Sequence, residues 1–245
     1  MDLLLGRIWA AWCLIWFAFT AMFLYPFFLI LFHSRGRHSF SRAQNAVRWW
    51  TQALLKGFGM PLRKSRRDLY PRTPCILVSN HFSQLDILVI IALLPPKYHI
   101  ISKHEVLRMP IVGGVLKRLH LTFNRSDPKS RAAIVLRMEE ELARGYSIVV
   151  FPEGSRNRGP GLTRPFQRGA FELAAKTDTP VSVLTIIDTY RRNPAALGFA
   201  AFPGRVRCVF NEALQPSAFH SANELSATAR RTIEYNLARI YGEHF

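Results

Sequence analysis

An uncharged apolar segment near the start of the sequence constrains the fold more than any other feature. Residues 8–32 contain no Asp, Glu, Lys, Arg or His. As a helix this segment would extend about 37 Å, which is long enough to cross the hydrocarbon core of a bilayer. Its residues Trp9, Trp12, Trp16 and Tyr25 are of the types found at membrane–water interfaces. The sequence therefore predicts a membrane-associated helix.

Pro26 leaves two forms of this helix open, because proline can kink or end a helix. One is a single tilted span, and the other is a re-entrant pair of helices that turns near Pro26 and enters one leaflet. We see no small-residue cleavage site before His33, so a cleaved signal peptide is not expected. Basic residues at Arg35, Arg37 and Arg42 predict that the downstream part of the chain lies on the cytoplasmic side.

A second helix is expected between residues 41 and 58, where apolar residues recur at helical spacing among basic ones. The apolar positions are Val47, Trp50, Leu54 and Phe58, with Trp49 and Leu55 alongside. This pattern favours a helix at the membrane interface over one that covers the domain core. The sequence thus predicts a membrane-associated helical segment over residues 1–59 and an α/β domain over residues 60–245.

The composition is strongly basic, with 33 Lys and Arg against 16 Asp and Glu and a formal net charge of +17. Such a charge favours anionic partners, which include anionic lipids, nucleic acids and acidic proteins or cofactors. Nucleic acid is the least expected, because many of the basic residues cluster beside the apolar segment and no nucleic-acid motif occurs. The widely spaced Cys13, Cys75 and Cys208 predict buried, reduced thiols rather than a disulfide framework or a metal site.

Strand and helix patterns alternate after Pro74, which predicts an α/β fold with a mostly parallel sheet flanked by helices. Asp127 and Pro128 mark the start of one helix and Gly145 its end, and Ser221 with Glu224 marks the start of the last helix. The predicted strands are 76–78, 98–102, 120–123, 148–151, 181–187 and 204–210. The other predicted helices are 87–94, 166–176 and, in part, 105–116.

A short polar motif at residues 80–86 follows the first of these strands. His81 is a candidate general base, and Asp86 would fix its tautomer by accepting a hydrogen bond from the imidazole. The backbone N–H groups at the start of the next helix would stabilise an oxyanion. The alternative is that His81 and Asp86 only stabilise a turn between strand and helix. No further metal ligands lie at suitable spacing, so we expect no metal.

A second polar motif, at residues 151–157, follows another strand. Gly154 permits a tight turn, and Arg156 can bind a phosphate in bidentate fashion. The alternative is a surface turn with an ion pair. Because the carboxyl ends of parallel strands meet at one edge of a sheet, we expect the two motifs to form one site.

Together the motifs resemble the glycerolipid acyltransferase family, and most of all the lysophosphatidic acid (1-acyl-sn-glycerol-3-phosphate) acyltransferases. The family pattern is N-H-x4-D, a short motif ending in arginine, F-P-E-G-[ST]-R, and a strand containing proline. Order and spacing match in the segments Asn80–Asp86, Thr122–Arg125, Phe151–Arg156 and Thr179–Val183. The resemblance covers residues 60–215 and implies a fold similar to that of glycerol-3-phosphate acyltransferase.

The resemblance also implies a reaction and a set of site residues. His81 would be the general base on the acceptor hydroxyl and Asp86 its partner. An acyl group would pass from acyl-CoA or acyl carrier protein to lysophosphatidic acid, which makes phosphatidic acid for phospholipid synthesis, without metal or other cofactor. The implied substrate-binding residues are Lys103, Asn124, Arg125, Glu153, Gly154, Ser155 and Arg156, and Pro110 and Gly113 match a neighbouring family P-x-x-G.

Two departures from the family pattern leave the acceptor open. The segment 121–124 lacks the usual leading glycine, and the strand after Pro180 lacks a second proline. Another lysolipid, such as lyso-ornithine lipid, is therefore an alternative acceptor. An alternative of another class is a non-catalytic basic protein that binds membranes. The intact His81, Asp86, Glu153 and Arg156 argue against this last alternative.

Overall fold

A computed structural model describes residues 2–33, 37–71, 74–104, 120–124, 126–157, 162–194 and 197–242, without the side chains of residues 29, 32, 33, 37, 38, 67 and 103. The chain folds into two compact units that alternate along the sequence. The first unit contains residues 1–63, 82–96 and 186–208, and the second contains residues 64–81, 97–185 and 209–245. The predicted division into a membrane-associated segment over residues 1–59 and an α/β domain over residues 60–245 stays a prediction.

Two long helices, α1 (Leu3–His33) and α2 (Arg37–Gly57), begin the first unit. Helix α1 continues through Pro26, so the alternative with a turn at this residue is wrong. The indole Nε1 of Trp9 donates to the carbonyl of Phe58 at 3.0 Å, and that of Trp50 donates to Thr20 Oγ1 at 3.1 Å. Since residues early in α1 contact residues late in α2, the two helices run antiparallel, side by side.

The apolar face of α2 packs inside the first unit. Val47, Leu54 and Leu55 are at most 3% exposed, and α2 contacts both α1 and α3 (Leu85–Leu93). The preference for an interfacial role of this face is therefore wrong, and the helix covers a core instead. Trp49 points the other way and is 71% exposed.

A seven-stranded sheet has the order β1-β7-β6-β2-β5-β3-β4. Strand β2 pairs in parallel with β5 and β6, and β3 pairs in parallel with β4 and β5. The predicted fold class is confirmed. The strands are β1 (Leu62–Ser65), β2 (Ile76–Ser79), β3 (Tyr98–Lys103), β4 (His120–Phe123), β5 (Ser147–Val150), β6 (Val181–Ile187) and β7 (Val206–Phe210).

The remaining helices are α4 (Pro128–Ala143), α5 (Gly169–Thr177), α6 (Thr189–Arg192) and α7 (Ala222–Tyr241), with 3-10 turns at Arg67–Leu69 and Pro216–Ala218. Asp127 caps α4 by accepting from the Lys129 N–H at 2.9 Å, and Ser221 caps α7 by accepting from the Glu224 N–H at 3.2 Å. Both predicted caps are confirmed. The partly helical segment predicted at 105–116 lies outside the described residues.

The three cysteines are free thiols. Cys75 and Cys208 are buried as predicted, whereas Cys13 is partly exposed, so its predicted burial is wrong. Burial raises the pKa of the Cys75 thiol, although a hydrogen bond with Ser147 opposes the change. This thiol is therefore an inert core group.

Candidate active site

His81 lies just beyond the end of β2, in the second unit, and its backbone is bonded to the other motif. The His81 N–H donates to Glu153 Oε1 at 2.8 Å, and its carbonyl accepts from the Asn157 N–H at 2.7 Å. The imidazole is half-buried and stacks on the Phe151 ring at a centroid distance of 4.2 Å. The two motifs therefore meet at His81, which agrees with the expectation that the strand ends preceding them lie at one edge of the sheet.

Glu153 is a buried brace between two backbone segments. It is 3% exposed, and while Oε1 accepts from His81, Oε2 accepts from the N–H of Arg164 at 2.9 Å. Two backbone donors stabilise a buried carboxylate that would otherwise be costly to desolvate. These contacts assign Glu153 a positioning role, and its role in binding substrate stays a prediction.

The turn after β5 presents polar groups beside this brace. Gly154 has a φ of +72°, a value that favours glycine, and its N–H donates to the Phe151 carbonyl at 3.0 Å. Ser155 Oγ accepts from a guanidinium N–H of Arg164 at 2.6 Å. Arg156 is half-buried. Sequence reasoning missed Arg164, because it lies outside the family motif and only its charge marked it.

The C-terminal helix holds the loop that carries Arg164. The Thr163 hydroxyl donates to Glu234 Oε1 at 2.5 Å and accepts from Arg230 Nε at 3.0 Å. Arg230 also pairs with Glu234 at 2.9 Å on the same face of α7. Thr163 is separated from its partners by about seventy residues in sequence, so no local pattern could have identified this anchor.

Asp86 lies on the first turn of α3, in the first unit, and is fully buried. Its Oδ2 accepts from the N–H groups of Phe82 at 2.7 Å and Ser83 at 2.8 Å. Asp86 therefore stabilises the turn that follows His81 in the chain. Its orienting role toward the imidazole stays a prediction.

The expected oxyanion donors at the start of α3 are engaged within the protein. The N–H groups of Phe82 and Ser83 donate to Asp86, and that of Leu85 donates to Ser83 Oγ at 3.3 Å. Those of Asp86 and Ile87 donate to backbone carbonyls at 3.3 Å. The turn therefore uses these five groups to satisfy its own backbone, and their predicted oxyanion role stays a prediction.

Two further polar pairs order the first unit after β6. Ser83 Oγ bonds Asn193 Oδ1 at 3.1 Å, and the Asn193 amide donates to the Ala200 carbonyl at 3.0 Å. Asp188, with a φ of 77°, accepts two hydrogen bonds of 2.7 Å from the Arg207 guanidinium. Ser83 is therefore engaged in holding the segment after β6.

Asn124 forms a local turn before α4. It is exposed, its N–H donates to Ser130 Oγ at 2.9 Å, and its Oδ1 accepts from the N–H and hydroxyl of Ser126 at 3.1 and 2.7 Å. Its substrate-binding role stays a prediction. The side chain of Lys103 and the whole of Arg125, Pro110 and Gly113 lie outside the described residues. Within the described ranges, no cluster of three His, Cys, Asp or Glu could hold a metal ion.

Two further histidines lie on neighbouring strands, His99 on β3 and His120 on β4. His99 Nε2 is 3.4 Å from Glu141 Oε2, and His120 Nδ1 is 2.9 Å from Ser102 Oγ. Burial, together with the nearby His99, lowers the pKa of His120 to about 3. His120 is therefore neutral at physiological pH and has no accessible role as a general base.

Comparison with known proteins agrees with this arrangement. A family model described as Acyltransferase matches residues 62–187. The chain is 34% identical over 146 residues to a chloroplastic 1-acyl-sn-glycerol-3-phosphate acyltransferase of Brassica napus, covering 59% of this chain and 42% of that one. It is 37% identical over 115 residues to a 1-acyl-sn-glycerol-3-phosphate acyltransferase of Borreliella burgdorferi, covering 46% of each.

A lyso-ornithine lipid O-acyltransferase of Pseudomonas aeruginosa is 31% identical over 161 residues, covering 66% of this chain and 60% of that one. The chain spans about half the length of the curated relatives it matches. The crystal structure of a 1-acyl-sn-glycerophosphate acyltransferase from Thermotoga maritima shares the fold. Its TM-score is 0.82 at 21% identity, over 99% of this chain and 98% of that one.

The family match takes in both polar motifs and just over half of the chain. The relatives match over part of the chain and are named as acyltransferases. The fold found here agrees with that of a solved acyltransferase over nearly its whole length. The chain therefore belongs to the family that the Acyltransferase model describes.

Proposed function

We propose that the protein transfers a fatty acyl group from an acyl thioester to the free hydroxyl of lysophosphatidic acid, which makes phosphatidic acid for phospholipid synthesis. The observation that carries this proposal is the 2.8 Å hydrogen bond from the His81 N–H to Glu153. This bond joins the histidine of N-H-x4-D to the F-P-E-G-S-R loop. Relatives named as 1-acyl-sn-glycerol-3-phosphate acyltransferases support the assignment.

The proposed mechanism is direct attack by the acceptor. His81 takes the proton of the acceptor hydroxyl while the hydroxyl oxygen forms a bond to the thioester carbonyl carbon. The tetrahedral intermediate then collapses, the carbon–sulfur bond breaks, and the imidazolium returns the proton to the leaving sulfur. Asp86 would hold the imidazole in the competent tautomer. General base catalysis of this kind contributes roughly 10²–10⁴-fold to a rate.

The acceptor headgroup would bind at the loop after β5. A guanidinium matches phosphate geometry with two parallel hydrogen bonds, and Arg156 provides one from this loop. Arg125 and Lys103 would add further positive charge, as the family resemblance implies. The net charge of +17 suits either acyl-CoA or acidic acyl carrier protein as donor.

Lyso-ornithine lipid is the second candidate acceptor. A relative with this named activity matches 66% of the chain at 31% identity. An ornithine headgroup has no phosphate but has a carboxylate, and a guanidinium can bind either anion. The preference for lysophosphatidic acid therefore rests on the relatives named for that activity.

We propose that the protein acts at the cytoplasmic face of a membrane, with α1 in a single leaflet. Within α1, residues 3–28 are long and apolar enough to span a bilayer by length and composition, with a mean hydropathy of 1.8, and little of their most apolar stretch is buried in the protein. However, α2 lies along α1 and bears Arg42, Arg48 and Gln52. A spanning α1 would carry Arg42 to membrane depth, together with Arg48, Gln52 and the Ala92 carbonyl to which these two donate. A charge at the centre of a bilayer costs roughly 2.5–3.5 kcal/mol.

Acyl transfer by the purified protein in detergent tests the function. Lysophosphatidic acid and lyso-ornithine lipid are each offered with acyl-CoA and with acyl carrier protein, beside His81→Ala. We expect turnover of lysophosphatidic acid that His81→Ala removes. Turnover of lyso-ornithine lipid alone would replace the acceptor, and no turnover with any pair would favour a non-catalytic membrane-binding protein.

A further inference from the structure

Exposed apolar side chains are unevenly distributed over the described residues. Thirteen of the large ones lie on α1, and only five lie elsewhere, at Trp49, Leu136, Leu197, Phe199 and Tyr235. Leu197 and Phe199 are the only two of these five that are close in sequence. They are 42% and 58% exposed and project from the segment between α6 and β7. Single exposed apolar residues are common on protein surfaces, so this pair becomes informative through its surroundings.

The backbone beneath this pair is well ordered by hydrogen bonds. The Leu197 N–H donates to the Pro194 carbonyl, and the Ala200 N–H donates to that of Gly198, each at 3.1 Å. Gly198 has a φ of +63°, so a tight turn separates the two apolar side chains. Two further bonds connect the residues after the turn with those before it. The Ala200 carbonyl accepts from the side-chain amide of Asn193, and the Phe202 N–H donates to the Arg192 carbonyl. The two side chains are therefore presented on a fixed turn.

The same loop is bound to the start of α1. The Ala201 N–H donates to the Gly6 carbonyl at 3.0 Å, and the Phe202 ring lies so close to Gly6 that a Cβ there would collide with it. The neighbouring Leu4 and Leu5 are more than 60% exposed. The apolar turn therefore belongs to a loop that is bound beside the start of α1, where exposed apolar side chains also lie, within the first unit.

Charge in the first unit suits an anionic membrane. The unit has eleven Lys and Arg but only three acidic residues, and two of those, Asp86 and Asp188, are buried. Arg205 follows the loop and Arg7 follows Gly6, and both are exposed. Cations at such positions favour binding to an anionic lipid surface.

We infer that Leu197 and Phe199 form a second membrane anchor, which inserts into the interface of an anionic bilayer beside α1. The inference rests on the proposed action at a membrane. The anchor would fix the rotation of the first unit on the bilayer, since one helix alone leaves rotation about its axis free. Apolar area and nearby cations together are what interfacial anchors use.

A polarity-sensitive fluorophore tests the insertion directly. The label is placed on Phe199→Cys in a full-length Cys13→Ser background, where the remaining native thiols are buried. Vesicles contain phosphatidylcholine and phosphatidylglycerol in a 3:1 ratio (about that of a moderately anionic membrane), with or without nitroxide-labelled lipid. We expect a blue shift and quenching by the nitroxide at position 199. The matched control is the same label on Leu136→Cys in α4, which should stay in water.

A second measurement uses binding itself. The double variant Leu197→Ser, Phe199→Ser should lower the vesicle partition coefficient by about tenfold, since both side chains lose apolar burial. Leu136→Ser should leave it unchanged. Acyl transfer in detergent should be the same in all three proteins, because these side chains are outside the catalytic motifs.

The outcomes separate this inference from the proposed function. If the protein binds vesicles while the label at 199 stays in water, the anchor is overturned and the membrane proposal stands. If the protein binds no vesicles, both the anchor and the membrane proposal fail. Transfer in detergent reports on the acyltransferase function independently of either result.

Discussion

Glu153 connects the two motifs through bonds that a substrate-binding carboxylate would not need. Because both of its oxygens accept backbone N–H groups, Glu153→Gln would place an amide NH2 against a backbone donor. An unsatisfied buried group of this kind costs roughly 1–3 kcal/mol. We expect a lower Tm and a lower kcat, with little change in the acceptor KM. Steady-state kinetics and thermal unfolding measure these effects.

Glu172→Gln is a suitable control for that substitution, because Glu172 is exposed on α5. It should change neither the Tm nor kcat. A large rise in acceptor KM at unchanged kcat in Glu153→Gln would instead assign Glu153 to substrate binding, as the family resemblance implies.

His81 should be essential for chemistry and dispensable for folding. His81→Phe retains an aromatic ring to stack on Phe151 but removes the base, so the protein should fold and lose at least about 10²-fold in kcat. Circular dichroism and an acyl-transfer assay check both parts. His220→Phe, at an exposed position, is the control. Retained turnover in His81→Phe would eliminate the proposed mechanism.

Arg156 should act on acceptor affinity. A hydrogen bond to a charged group contributes roughly 1.5–3 kcal/mol, so Arg156→Ala should raise the KM for lysophosphatidic acid by about tenfold or more. The exposed Arg168, just before α5, offers a matched control. An equal KM in Arg156→Ala and Arg168→Ala would remove the phosphate-binding assignment.

At the scale of elements, α7 restrains a loop of the candidate site through one hydroxyl. Thr163→Val removes both the bond to Glu234 and the bond from Arg230, whereas Thr163→Ser retains the hydroxyl. We expect faster amide exchange over residues 162–168 and a lower kcat in Thr163→Val, and near wild-type behaviour in Thr163→Ser. Hydrogen exchange of the full-length protein measures the first effect. Equal amide exchange in Thr163→Val and Thr163→Ser would show that the contacts of the Thr163 hydroxyl do not restrain the loop.

The elements that the sequence predicted best are those with a clear pattern of burial. The strands Val181–Ile187 and His120–Phe123 are found with the predicted bounds. In β6 every residue is buried, and its mostly apolar sequence, which Ser182 and Thr185 interrupt, predicts that. In contrast, α5 begins at Gly169 rather than Phe166, because the Gln167 N–H donates to the Pro152 carbonyl. Such a contact between distant segments leaves no local signal.

The candidate site also has some features that the sequence predicts and others that it does not. The family motifs identified His81, Asp86 and the loop of Glu153 from residue types and spacing alone. The sequence did not reveal that Asp86 uses one oxygen to bond two backbone N–H groups, or that Thr163 bonds α7. These contacts depend on backbone geometry and on segments about seventy residues apart. The role of α2 was mistaken because an amphipathic pattern shows an apolar face but not what it packs against.

At the scale of the whole molecule, buried His120 predicts acid sensitivity. Its pKa falls from 6.5 to about 3 on folding, so the unfolded chain binds a proton that the folded chain excludes. The free energy of unfolding contributed by this group is fully present above pH 6.5 and is lost as the pH falls towards 3. The slope reaches about 1.4 kcal/mol per pH unit.

Chemical denaturation between pH 7 and 4 measures this dependence. Because carboxylates also titrate in that range, the informative quantity is the difference between variants. His120→Gln should flatten the dependence, while His220→Gln, at an exposed histidine, should leave it unchanged. Parallel curves for His120→Gln and the wild type would contradict the proposed cause.

The alternation of the two compact units has a consequence for biosynthesis. The chain passes between the units five times, and the first unit is complete only at residue 208. At roughly 5–20 residues per second, the ribosome takes about 7–30 s to progress from residue 63 to residue 208. Through much of that interval α1 and α2 have been synthesised without the segment that packs on Gly6. An early encounter with the lipid surface would shield them from aggregation while translation continues.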